Sequence, residues 1–270
     1  MREPLENKFK DNFSLNKELN DIVSEAIEVF NSKKLQEADV DLFGGISLSI
    51  LAKNRKHYNS VQELCKLGFG EEAGLIVRSM TNALIDLTYI FRCGKDELSE
   101  RFVRFDWVVK RHKIAIADML DEHTYFIKKD QKKTEQWEQR REEVEAEVEK
   151  FYKDYKCEQT KHDWSGYSIK TKAKKAGKEI ELLYNTVYRY NSDIEHSNAT
   201  ALNNYVKTDV PGSMQFMSEP GENHVEENLR ESFNIYLRIA IIFFDYFKLS
   251  EFSEKASKLT AEFLKIYKKE

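Results

Sequence analysis

Three prolines in 270 residues, at Pro4, Pro211 and Pro220, leave positions 5 to 210 without one. Proline ends helices and starts turns, so so long a stretch without it favours long helices joined by few tight corners. Glycine is scarce as well, at ten residues. A sheet protein of this size needs both residues for its turns, so the chain is expected to be all-α, with no sheet of three or more strands. A composition of 33% charged and 41% hydrophobic residues suits helices with one buried stripe and a solvated outer face.

A formal net charge of −4 gives no overall attraction to nucleic acid or to an anionic membrane, so any such contact must come from local basic patches. Cys65, Cys93 and Cys157 are odd in number and lack paired spacing, which reads as three reduced thiols in a cytoplasmic protein. The polar opening MREPLENKFKDNFSLNKEL does not read as a signal peptide. The most apolar run, from Ile239 to Phe247, is too short to cross a bilayer and carries Asp245. No membrane contact is expected.

Helical periodicity divides the chain into segments. Ser14 is placed to cap a first helix reaching about residue 34, with Leu19, Ile22, Val23, Ala26 and Phe30 on one face. Further helices are expected over about 42–67, 71–92 and 96–120. Residues 128–155 alternate in charge and show a thin seam of Trp137, Val144, Val148, Phe151 and Tyr155. A seam that narrow suits a protruding arm or one side of a helical hairpin. After an irregular stretch containing Trp164-Ser165-Gly166, helices are expected over 171–196 and then, more briefly, to about 206. Residues 210–224 read as a loop with at most one short strand. Two last helices, 225–247 and 251–268, close the bundle. The whole, 1–270, reads as one helical domain: 14–126 the first helices, 127–156 the charged arm, and 157–270 the remainder.

The helix over 171–196 carries Arg189 and His196 seven positions apart. Seven steps of an α-helix advance about 700°, so both fall within about 20° of one face, about 10 Å apart along the axis. Leu183, Val187 and Ile194 mark a different face. A histidine so placed can act as general acid or base while the guanidinium holds a phosphate. Asp193 lies between them and can instead satisfy both in a surface network. On the apolar helix over 71–92, Arg78, Asn82 and Asp86 recur every four residues. They make a polar stripe, expected to be buried and hydrogen-bonded, that is either a structural network or the opposite wall of a site.

Two basic stretches are candidate phosphate anchors. Residues 101–113 mix basic and aromatic residues as single-strand binders do, although the aromatics also sit at core spacing. The run Lys170-Thr171-Lys172-Ala173-Lys174-Lys175 lies just ahead of the Arg/His helix. There is no phosphate-cradling glycine loop, no His-Glu-x-x-His, no nucleophile elbow and no di-iron Glu-x-x-His pair. His57, His112, His123, His162 and His224 are scattered, so no metal or cofactor is expected.

Trp164-Ser165-Gly166, then Ala176-Gly177, then Tyr184-x-x-x-Tyr188-Arg189-x-x-Ser192-x-x-x-His196-Ser197 resemble the bacterial domain-of-unknown-function 5677 family. Arg78-Ser79 opening an apolar helix and the aromatic stretch from Phe102 to Trp107 are similar too, so that the likeness covers about 42–205. Asn82 stands where an acidic residue would be expected. This resemblance brings no activity with it. More loosely, Arg189-x6-His196 is similar to the Arg-x(4–6)-His motif of HEPN domains, helical proteins that often act as RNases in toxin–antitoxin and antiphage systems. In those RNases the motif pair lines a cleft, commonly at a dimer interface, and cleaves RNA without a metal.

The segments together read as a multi-helix bundle with a charged arm inserted near its middle, and the HEPN resemblance implies that the bundle is HEPN-like. It implies His196 activating the ribose 2′-hydroxyl or protonating the leaving group, Arg189 stabilising the scissile phosphate, and Ser192 orienting ring or substrate. Arg78, Asn82, Tyr188, Ser192, Trp164 and Lys170 are then the candidates for binding substrate. The expected partners are RNA, a second copy of the chain and a protein encoded nearby. The competing expectation is a non-catalytic helical module that binds a partner or a small ligand.

Overall fold

The computed structural model describes residues 3–32, 40–123, 131–156, 163–195, 205–207 and 214–267. They form an all-α protein. In order the elements are α1 (Leu5–Lys8), α2 (Lys10–Ser32), α3 (Leu42–Leu67), α4 (Gly70–Cys93), α5 (Lys95–Arg104), α6 (Asp106–His123), α7 (Gln131–Tyr155), α8 (Ile169–Ala176) and α9 (Lys178–Leu183). A π-helical turn (Tyr184–Tyr188) leads into α10 (Arg189–Glu195). Then β1 (Val206–Lys207) pairs antiparallel with β2 (Gln215–Phe216), and α11 (Val225–Tyr246) and α12 (Ser250–Tyr267) follow. Among the described residues this two-stranded ribbon is the only sheet.

α4 is the axis of the bundle and packs against α3, α5, α8, α10 and α11. Its N-terminal end is shaped by glycine. Gly68 closes α3 at φ +83°, donating its N–H to the Cys65 carbonyl, and the chain turns straight into α4. A Cβ on Gly70 would lie 2.0 Å from the Asn223 carbonyl oxygen, so glycine lets the loop ahead of α11 touch the first turn of α4. Asn228 then donates to the Gly70 carbonyl at 2.8 Å. At the other end of α3, Asp41 caps the helix by accepting from the Gly44 N–H at 2.8 Å.

α2 begins at Lys10, so Ser14 lies inside the helix and is not its cap. The extra turn is held by packing: Asn12 and Asn16 are buried, and Tyr267 of α12 donates to Asn12 Oδ1 at 2.7 Å. The expected helix over 96–120 is divided at Phe105. Its first half, α5, joins the main core. Its second half, α6, pairs with α7 around a separate apolar cluster of Val108, Val144, Val148, Phe151 and Tyr152. The thin seam of α7 thus packs mainly on α6, while its last turn meets α5, where Arg101 and Arg104 lie over the Tyr155 ring. Phe105 packs against both clusters.

The helix expected over 171–196 is also divided. Gly177, at φ +129°, separates α8 from α9, and a Cβ there would meet Arg92 Nη1 at 2.6 Å. Arg92 donates to the Ala176 carbonyl at 2.7 Å and pairs with Glu179, which satisfies the open end of α8. Of the further short helix expected to about 206, residues 196–204 lie outside the described residues, and its end is strand instead, because Val206 pairs with Phe216 in the ribbon. Among the described residues no helix is long and apolar enough to cross a membrane.

Candidate functional site

The stripe on α4 is engaged differently at its two ends. At Arg78, Nη2 donates to the Tyr188 hydroxyl at 3.2 Å, and the guanidinium carbon lies 4.8 Å from the Tyr188 ring centroid. Tyr188 in turn stacks on Tyr184, with centroids 5.3 Å apart. These tyrosines bracket the π-turn, a feature that often marks functional helices. The turn also explains the burial pattern. Ile180, Leu183, Val187, Asn191 and Ile194 are buried, with two successive steps of four residues at its centre. In a pure α-helix two such steps drift by about 80°. The wider turn takes up that drift, so the stripe keeps facing α4.

Arg189 follows the π-turn and is exposed, as is Asp193, while Ser192 is half-buried. Asn191 turns inward, close enough to Gly74 that a Cβ there would meet its Oδ1 at 2.5 Å. His196 lies outside the described residues.

Eight residues along α4, about 12 Å from Arg78, Asp86 anchors a second arrangement. Lys172 of α8, 1% exposed, ion-pairs with Asp86 Oδ1 and with Asp163 Oδ2, the latter at 2.8 Å. The Trp164 indole N–H also donates to Asp86 Oδ1, at 3.2 Å. Burial pushes the Asp86 carboxyl above its usual pKa, with the Lys172 charge opposing that rise. Trp164 is buried against Tyr89 and Phe102. Asp163 is held by a tight turn. Its Oδ1 accepts from the Ser165 N–H and its carbonyl from the Gly166 N–H, with Gly166 at φ +71°.

The structure therefore joins Arg78 to Tyr188, beside Arg189, and joins Trp164 to Asp86 at the other end of the stripe. Asn82 lies between the two and is exposed, not buried as expected, because it faces the open groove between α3, α4 and α5. Of the basic run, Lys170, Lys174 and Lys175 are exposed, but Lys172 is turned inward. Lys172 and Asp163 escaped notice as individual residues. The available signals were a lysine on the same face as Ala173 and Ala176, and the Asp-x-Ser-Gly turn pattern.

A groove of ≈ 730 Å³ opens beside this stripe. α3 lines it with Ile46, Ser49, Ile50 and Lys53, α4 with Ser79, Asn82, Ala83 and Asp86, and α5 with Phe102 and Val103. Each helix contributes positions spaced i, i+3, i+4 and i+7 or part of that pattern, which is one helical face. Among the described residues no three or more His, Cys, Asp or Glu side chains are grouped to hold a metal.

A helical bundle threaded by a polar-striped central helix is the class that this fold and these contacts define. The family model described as Family of unknown function (DUF5677) matches residues 45–214, and the chain belongs to that family. The matched span runs from the first turns of α3 past α10, and so includes both ends of the stripe and the α6/α7 hairpin. No curated protein and no solved structure matches the chain.

Proposed function

We propose that the protein is a metal-independent ribonuclease of the HEPN type, with Arg189 and His196 as the reactive pair. The observation that supports this reading is the exposure of Arg189 on a helix whose opposite face supplies the buried stripe from Ile180 to Ile194. That arginine is not consumed by the core. Its neighbour Tyr188 holds Arg78, which brings a second guanidinium to the same region.

In this reading His196 takes the proton of the ribose 2′-hydroxyl, and the 2′-oxygen attacks phosphorus. The bond to the 5′-oxygen breaks and that oxygen receives a proton, leaving a 2′,3′-cyclic phosphate and a 5′-hydroxyl. Arg189 stabilises the charge that builds on the phosphoryl oxygens. Toxin–antitoxin or antiphage defence is the setting implied by the HEPN resemblance.

The test is purified protein against single-stranded RNA and its 2′-deoxy counterpart, with and without EDTA. RNA should be cut in both conditions and the deoxy strand in neither. His196→Ala and Arg189→Ala should each lower the rate by about 10²-fold or more. Arg189→Ala should change stability by about 0.5 kcal/mol or less, because the side chain is exposed. An absence of cleavage throughout would leave the non-catalytic module as the function.

A further inference from the structure

The groove along α4 has features that an RNA site does not need. One of its lining residues, Asp86, belongs to a cluster in which two carboxylates, Asp86 and Asp163, share one ammonium, Lys172, so the cluster carries one excess negative charge. The Asp86 side chain is 13% exposed and lines the groove. Among the described residues the hydrogen bonds that Asp86 receives, from Lys172 and Trp164, end on Oδ1. Its Oδ2 is thereby available to a ligand in the groove that Asp86 lines.

Ser79, Asn82, Ala83 and Asp86 share one face of α4 over about 10 Å. A hydroxyl, a carboxamide and a carboxylate therefore converge on one wall. The facing walls are largely apolar, with Ile46 and Ile50 of α3 and the Phe102 ring of α5, and their charged groups are Lys53 of α3 and Asp41, which pairs with Lys95. Few polar groups on an apolar surface, in a volume of this size, is the usual make-up of a small-molecule site.

We propose that this groove binds a small organic cation, with an amine or amidine head donating to Asp86 Oδ2 and an apolar body against Ile46, Ile50 and Phe102. The Asp86 carboxylate offers a cation an ion pair that neutral and anionic ligands cannot make, and the apolar body keeps the ligand on the side of Ile46, Ile50 and Phe102. Asn82 and Ser79 take further hydrogen bonds from the head group. The site is separate from Arg189, and its occupancy does not depend on the nuclease reading.

Isothermal titration of the full chain with 2-phenylethylamine, 2-phenylethanol and 3-phenylpropionate tests the proposal. The amine should bind at least ten-fold more tightly than the alcohol, and the carboxylate more weakly than either. Asp86→Asn should bring amine and alcohol to equal affinity. Ala83→Phe fills the groove while leaving the Asp86 cluster in place, and should abolish amine binding with the helical circular dichroism unchanged. If Asp86→Asn does not fold, the ligand series and Ala83→Phe decide. Equal affinity for amine and alcohol in the unmodified protein, or amine binding that survives Ala83→Phe, overturns the proposal.

Discussion

Lys172 is a buried cation whose charge is balanced by Asp86 and Asp163. A buried ion pair is weak evidence for net stability, but breaking one is costly because a charge is left without its partner. Lys172→Met keeps an unbranched side chain, shorter by one atom, and removes the charge. It should cost about 3–5 kcal/mol in urea unfolding at neutral pH. The loss should also depend on pH. Burial already holds Asp86 above its usual pKa, so the folded state keeps that proton longer than the unfolded chain, and its ionisation costs stability as pH rises. Removing Lys172 removes the main opposing influence, so the deficit should be larger at about pH 8 than at about pH 5. A deficit that does not vary with pH would place the cost in packing instead. The sequence shows why Lys172 was hard to single out. It sits in a run of lysines of which the others described are exposed, and only contact with α4 distinguishes it.

The α6/α7 hairpin has its own apolar cluster, in which Phe151 is 1% exposed and rests on the rings of Phe105, Tyr152 and Tyr155. Phe151→Ala should cost about 3–5 kcal/mol of local stability. Amide exchange should then lose protection in α6 and α7 while α4 and α11 keep theirs. Loss of protection across α4 as well would show that both clusters unfold as one unit. The boundaries of α3, α4 and α11 were legible to within about a residue. Each has a wide apolar stripe, and Asp41, Gly68 and Gly94 punctuate two of them. The division between α5 and α6 was not legible, because neither proline nor glycine stands at Phe105 and the periodicity runs through it. A change of packing partner makes that break. The division at Gly177 did have a local signal, the glycine itself, made decisive by Arg92 closing over it.

Across the molecule, alkaline pH should act through groups buried in their neutral form. Burial pushes the Cys65 thiol from its usual 9.0 up to about 12, and the Tyr89 hydroxyl from 10.0 up to about 12. The unfolded chain releases these protons near their usual values, while the folded chain keeps them. Their contribution is therefore complete below about pH 9 and is lost as pH rises towards about 12. Urea unfolding followed from pH 8 upward should show a falling stability. Cys65→Ala should make that fall shallower by about 1.4 kcal/mol per pH unit above pH 9. Equal slopes in the two proteins would mean that Cys65 does not stay protonated in the fold. Of the candidate nuclease pair, the outward placement of Arg189 was legible from the positions of Leu183, Val187 and Ile194, all buried. The π-turn that keeps this stripe in phase was not, since a spacing of four residues looks alike in either helix type.

Phe105 touches both apolar clusters from the junction between α5 and α6. In mechanical terms it is a fulcrum. One lever is the hairpin, where Ile116 and Met119 are exposed on α6. The other is the last turn of α5, where Phe102 and Val103 form one wall of the groove. Phe102 and Val103 stand three and two residues before Phe105, so the pivot of the hairpin and the wall of the groove lie within one helical turn of each other.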